Sequence, residues 1–144
     1  MMNNYDERQI LIKGKIFMHS YYILIALLFI NAFLNSFDIM WADGFHSSII
    51  IAMLSLVISS SEGIIKDVFF IKPKERFAFF VLPALGIYLL VLNIAHINDG
   101  DKIIAAGTVT RTGCSIITSV LLIIMGVIAG IKFARDKLSN NGEE

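Results

Sequence analysis

Along the chain, apolar positions gather into four long runs from which charge is absent or nearly so, at about residues 16–37, 47–65, 77–97 and 112–131. Each run is close to the roughly 20 residues that carry an α-helix across about 30 Å of hydrocarbon. With their flanks, these runs predict spans at about 16–37, 47–71, 73–97 and 103–134. The fold class expected is all-α, an integral membrane four-helix bundle occupying 1–144 as one domain. Residues 1–15 are read as a helical extension of the first span, and 135–144 as a polar tail.

The cations between the runs sort by side. Arg8, Lys13 and Lys15 precede the first, Lys66, Lys72, Lys74 and Arg76 lie between the second and third, and Lys132, Arg135 and Lys137 follow the fourth. The other two connections hold only Lys102 and Arg111. The positive-inside bias therefore predicts a multi-pass plasma membrane protein with both termini cytoplasmic and the loops near Asp38–His46 and Asn98–Arg111 outside. The charged start is not read as a signal peptide, because Asp6 and Glu7 stand in what would be its basic region and no small-residue cleavage site follows. Asn4 with Glu7 gives a weak capping box. Tyr5, Ile10, Leu11 and Ile12 scatter around a helical wheel, so a continuation of the first helix is expected here, not a helix lying on lipid.

The same stretch, "YDERQILIKGK", resembles the opening of small bacterial membrane proteins of uncharacterised families, each a domain of unknown function with a YDERQ-like motif before its first span. The resemblance covers about a tenth of the chain. It implies an integral membrane protein, of a kind sometimes thought to work beside small helix-turn-helix regulators, and it brings no catalytic residues.

Between the second and third runs, "SSSEGIIKDVFFIKPKER" leaves two readings open. The second helix runs on to about Ile71 with help from the Glu62–Lys66 i,i+4 pair, or Ser59–Ser61 break it and leave a short helix on the inner leaflet. Pro73 suits the first position of the third helix, with Glu75 in its first turn. Pro83 and Gly86 within that helix predict a kink. In the fourth run "GVIAG" is a GxxxG pair, Gly126 and Gly130, extended by Ala134 into a packing face, either within the bundle or as a seam between two copies.

Polar residues within the runs crowd toward the outer ends. Asn31, Asn35 and Asp38 have helical spacing, Asn93 and His96 share a face, and Thr108, Arg111, Ser115 and Thr118 share another if the fourth helix begins near Asp101. The plainer reading is that these groups hydrogen-bond neighbouring helices and headgroup water. The sharper one turns Asn31, Asn35, Asp38, Asn93, His96, Arg111 and Ser115 into an outward-opening polar pocket, with Arg111 pairing Asp38 or an anionic ligand. Asp99 and Asp101 are surface alternatives for Arg111. Trp41 and His46 are read as interfacial anchors, and His19 as an interface residue near the inner end.

Composition narrows the classes. A hydrophobic share of 56% and a mean hydropathy of +0.74 exceed what a water-soluble domain of 144 residues buries. Twelve basic residues balance twelve acidic ones, so no field draws nucleic acid. The single Cys114 excludes an internal disulfide, a CxxC pair and a thiolate zinc site. The three histidines lie in different segments, and no phosphate loop or catalytic triad is legible, so no enzyme, metal or cofactor is expected. The expected function is an accessory, sensing or immunity-type membrane component. Its partners are the lipid bilayer and either a second copy or another membrane protein. The alternative is a small-solute transporter or channel subunit, since the chain resembles small multidrug exporters in length. Those carry a glutamate in their first span, which this chain lacks, Glu62 being toward the inner end of the second.

Overall fold

A computed structural model describes residues 7–68 and 73–140, with 73–79, 136, 139 and 140 described by backbone alone. The Asn4–Glu7 capping box, the start of the YDERQ motif and the stretch Phe69–Lys72 lie outside the described residues, wholly or in part. The elements are α1 (Glu7–Ser36), α2 (Gly44–Ile65), α3 (Pro73–Asn98), β1 (Ile104–Ala105), β2 (Thr108–Val109) and α4 (Arg111–Asn140). All four helices contain a stretch long and apolar enough to cross a membrane. By length and composition the four helices suit a multi-pass membrane protein.

Three helices stop the same way. After the last helical turn one residue adopts a left-handed backbone, Asp38 at φ 56°, Asp67 at φ 58° and Gly100 at φ 106°. The next amide reaches back five residues, Ile39 N–H to the Leu34 carbonyl, Val68 to Gly63 and Asp101 to His96, at 3.0, 2.9 and 3.1 Å. This is the Schellman arrangement, which satisfies carbonyls that a helix end leaves open. It corrects the expectation that the second helix continues to Ile71: α2 ends at Ile65, and Val68 turns back into the protein fully buried. The serines do not break it either, since Ser59 and Ser61 donate to the Leu56 and Val57 carbonyls inside a continuous helix.

The fourth helix starts later than expected. Residues 103–110, predicted as its first turns, instead form an antiparallel hairpin pairing Ile104 with Val109 and Ala105 with Thr108. Ala106 and Gly107 turn it, both with positive φ, 50° and 81°, as a two-residue type I′ turn needs. Thr110 then caps α4, accepting from Gly113 N–H at 3.2 Å while its carbonyl takes the first helical bond from Cys114. Beyond the expected end at 134, α4 continues to Asn140.

Packing between the helices gives their order in space. α1 packs on α2, α2 on α4 and α4 on α3, a row α1–α2–α4–α3 with α1 and α3 at its edges. Accordingly 33% of the most apolar stretch of α2 and of α4 is buried in the protein, against 11% in α1 and α3. The edge helices leave their remaining apolar surface uncovered, Phe29, Phe33, Tyr88 and Val91 among it. α3 meets α4 very closely: a Cβ on Gly86 would stand 2.8 Å from Leu122 Cβ and 2.9 Å from the Ser119 carbonyl, and one on Gly126 would overlap the Pro83 ring. Pro83 thus remains inside a helix and serves as a contact surface. The GxxxG face divides, because a Cβ on Gly130 would meet nothing within 4 Å and Ala134 is exposed.

Candidate functional site

The two loops at the hairpin end are joined to each other. Val109 N–H donates to the Trp41 carbonyl at 2.8 Å, and Ala42 bridges Val109. Ala42, Ile50 and Cys114 form a small buried cluster there, covered by Trp41, Val109 and Ile117. The Trp41 indole N–H donates to Asn31 Oδ1 at 2.8 Å, and Asn31 Nδ2 reaches Ser47 Oγ at 3.4 Å. Trp41, expected as an interfacial anchor, also ties α1, the first loop and the hairpin to one another. His46, the other expected anchor, sits on the cap of α2, its Nδ1 2.6 Å from Asp43 Oδ2 and its backbone N–H 2.8 Å from Asp43 Oδ1. These bonds, the backbone one foremost and the side-chain one next, hold the Asp43 carboxyl below its ordinary value.

The expected seven-residue pocket divides for the same reason. Asn31 is buried between α1 and α2, and Asn35 and Asp38 are exposed, Asp38 having left the helix to supply the left-handed residue that ends α1. Since α1 stands at the far edge of the row from α3, its polar stripe does not reach the others. The Arg111–Asp38 pair is accordingly absent among the described residues. Thr108 lies in β2, so the fourth-helix stripe begins at Arg111. Thr118 turns its hydroxyl to the Cys114 carbonyl.

Asn93, His96, Arg111 and Ser115 do come together. With Leu89, Leu92, Asp101 and Thr112 they line a half-open cavity of about 330 Å³ between α3 and the first turns of α4. Asn93 is only 6% exposed, and it crosses the helix pair by donating from Nδ2 to Ser115 Oγ at 2.9 Å, and to the Leu89 carbonyl at 2.7 Å. Its Oδ1 accepts no hydrogen bond among the described residues, and Asn93 is one of the residues that line the cavity. Asp101, expected as a partner for Arg111, accepts instead from Thr112 Oγ1 at 2.8 Å. Arg111 forms no ion pair among the described residues. It occupies the first position of α4, where the helix dipole disfavours a cation and favours an anion.

Thr110, Thr112 and Asp43 carry this end of the molecule and were not singled out by spacing. A signal existed: Ile103, Ile104, Thr108, Val109 and Thr110 are β-branched residues flanking Ala106–Gly107, a strand-turn-strand composition within an apolar context. At the opposite end the structure assembles a second polar group. His19 Nδ1 lies 3.4 Å from Glu62 Oε1 and Ser20 Oγ meets Ser55 Oγ at 3.0 Å, both between α1 and α2, while Lys66 pairs the Glu62 carboxylate from the C-cap of α2 itself. Among the described residues no three His, Cys, Asp or Glu side chains converge as metal ligands would. No protein-family model matches the chain, and comparison with curated proteins and with solved structures finds no significant match.

Proposed function

We propose that this is a non-enzymatic multi-pass protein of the plasma membrane, with both termini cytoplasmic, that works through a membrane partner as a sensing or accessory component. In this reading the cavity between α3 and α4 opens outward and takes a small anionic ligand. The observation that carries it is the place of Arg111, a guanidinium with no ion pair among the described residues, at the positive end of a helix and lining the same cavity as the buried amide of Asn93, whose Oδ1 accepts no hydrogen bond among the described residues. A ligand bearing a carboxylate or phosphate together with a donor group satisfies both. The sensing role is supported by the link from this cavity through Thr110 and the hairpin to Trp41 and Asn31, since a change at the start of α4 reaches the first two helices through hydrogen bonds. The skew of basic residues toward the terminal end supports the orientation.

Thermal unfolding of the purified protein against a panel of small carboxylates and phosphates tests the reading. A ligand at 100 times its Kd raises stability by about 2.7 kcal/mol. Arg111→Ala is expected to abolish that shift while leaving the unliganded melting temperature nearly unchanged. A panel that moves neither protein, or a shift that survives in Arg111→Ala, removes the ligand assignment.

A further inference from the structure

A second cavity lies at the other end of α4, where it meets the end of α2. Ile65, Ile128, Ile131, Lys132 and Arg135 enclose about 360 Å³, half-open to the surroundings. Its floor is aliphatic and its rim cationic. Lys132 has a side chain only 19% exposed, held by the carboxylate of Asp67 at 2.9 Å from Oδ1 and 3.1 Å from Oδ2. Asp67 is fixed in turn as the left-handed residue that closes α2. Arg135 stands one helical turn after Ile131, is exposed, and forms no ion pair among the described residues. With Lys132 and Lys137 it belongs to the cationic stretch that follows the apolar run of α4, a composition that suits headgroup depth.

An occupant must match hydrocarbon on one side and a cation on the other, at the level where acyl chains give way to headgroups. We infer that this cavity is a binding site for an anionic phospholipid, its phosphate on the Arg135 guanidinium and an acyl chain along Ile65, Ile128 and Ile131. A guanidinium suits the task because its planar fork meets two phosphate oxygens at once. Basic pockets between membrane helices near the headgroup layer take anionic lipids by this charge match. The Lys132–Asp67 pair is neutral as a unit, so among the described lining residues Arg135 supplies the charge for an anion, and Asp67 limits the strength of the site. The inference rests on the membrane reading, but not on which face of the membrane is cytoplasmic or on what fills the cavity at the hairpin end.

The test is native mass spectrometry of the full-length protein in neutral detergent, titrated in separate arms with phosphatidylglycerol, phosphatidylcholine and glycerol 3-phosphate. Phosphatidylglycerol is expected to be retained in preference to phosphatidylcholine. Arg135→Gln is expected to weaken its binding about fivefold, the order a basic residue contributes at a headgroup surface. Asp67→Asn is expected to strengthen it by a similar factor, because asparagine tolerates the left-handed backbone while removing the opposing charge. Equal retention of the two lipids overturns the inference, as does phosphatidylglycerol binding that neither substitution alters. Saturation by glycerol 3-phosphate alone assigns the site to a soluble phosphate and overturns the lipid. Failure of the membrane reading itself has a different signature, a protein that stays monodisperse once detergent is removed.

Discussion

Gly126 and Gly130 stand one turn apart on α4 and meet different surroundings. A methyl group at Gly126 collides with the Pro83 ring, whereas at Gly130 it enters open space. Gly126→Ala is therefore expected to lower unfolding stability by about 1–3 kcal/mol, the usual cost of overpacking. Gly130→Ala should change it by no more than about 0.5 kcal/mol in the monomer. Thermal denaturation in detergent separates the two, and a loss at Gly130 that deepens with protein concentration would reveal a second copy on that face. Asp43 carries a pH prediction. Its folded carboxyl titrates below its ordinary value near 3.8 because His46 N–H and the imidazole favour the ionised form. A depressed carboxylate stabilises above its unfolded pKa, and that contribution disappears as pH falls through the folded value. Helicity followed by circular dichroism should accordingly drop below about pH 4. Asp43→Asn, which keeps a cap without the titration, should flatten that acid limb.

Among the elements, the hairpin and the start of α4 act as one unit. Thr110 Oγ1 donates to the Lys102 carbonyl at 2.5 Å, with the Ile103 carbonyl at 3.1 Å beside it, and accepts from Gly113 N–H, so a single hydroxyl closes the hairpin and opens the helix. Gly113 lies against the Ile103 carbonyl, with no room there for a side chain. Thr110→Ala should cost about 1 kcal/mol as a lost cap, and the larger effect should be on the cavity, whose wall includes Arg111 and Thr112. Amide exchange at residues 111–114 should speed up in the alanine variant and stay slow in Thr110→Ser. Equal protection in both would separate the cap from the cavity wall. The three Schellman ends show how local chemistry overrides a continuing apolar pattern: once Asp67 takes a left-handed backbone, α2 is over whatever follows in sequence.

For the whole molecule, the row α1–α2–α4–α3 puts the two most buried helices at the centre and leaves the outer apolar faces of α1 and α3 uncovered. Interhelical hydrogen bonds join neighbours in the row, Asn31–Ser47 and Ser20–Ser55 between α1 and α2, Asn93–Ser115 between α3 and α4. The proposed orientation has a direct check in intact cells, using a background in which Cys114 is replaced by alanine. A cysteine at position 106, in the hairpin turn, should react with an impermeant maleimide, and one at position 74 should not. The reverse pattern inverts the map and moves the Arg111 cavity to the cytoplasmic side.

Much of this protein is local and was therefore legible in the chain. Four helices, their rough extents, the role of Pro73 at the start of α3 and the concentration of polar groups near one end follow from hydropathy and spacing. Each depends on one segment and its solvent. Which polar stripes converge depended instead on the order of helices in space, and nothing in a single segment encodes that. The sequence offered Asn31, Asn35 and Asp38 on equal terms with Asn93, His96, Arg111 and Ser115. Packing kept the second group and separated the first, because Gly86 and Gly126 let α3 lie directly on α4 while α1 packs on α2, at the other edge of the row. Hydrocarbon supplies no hydrophobic drive between helices, so small residues and a few hydrogen bonds decide neighbours, and those are contacts between segments far apart in sequence.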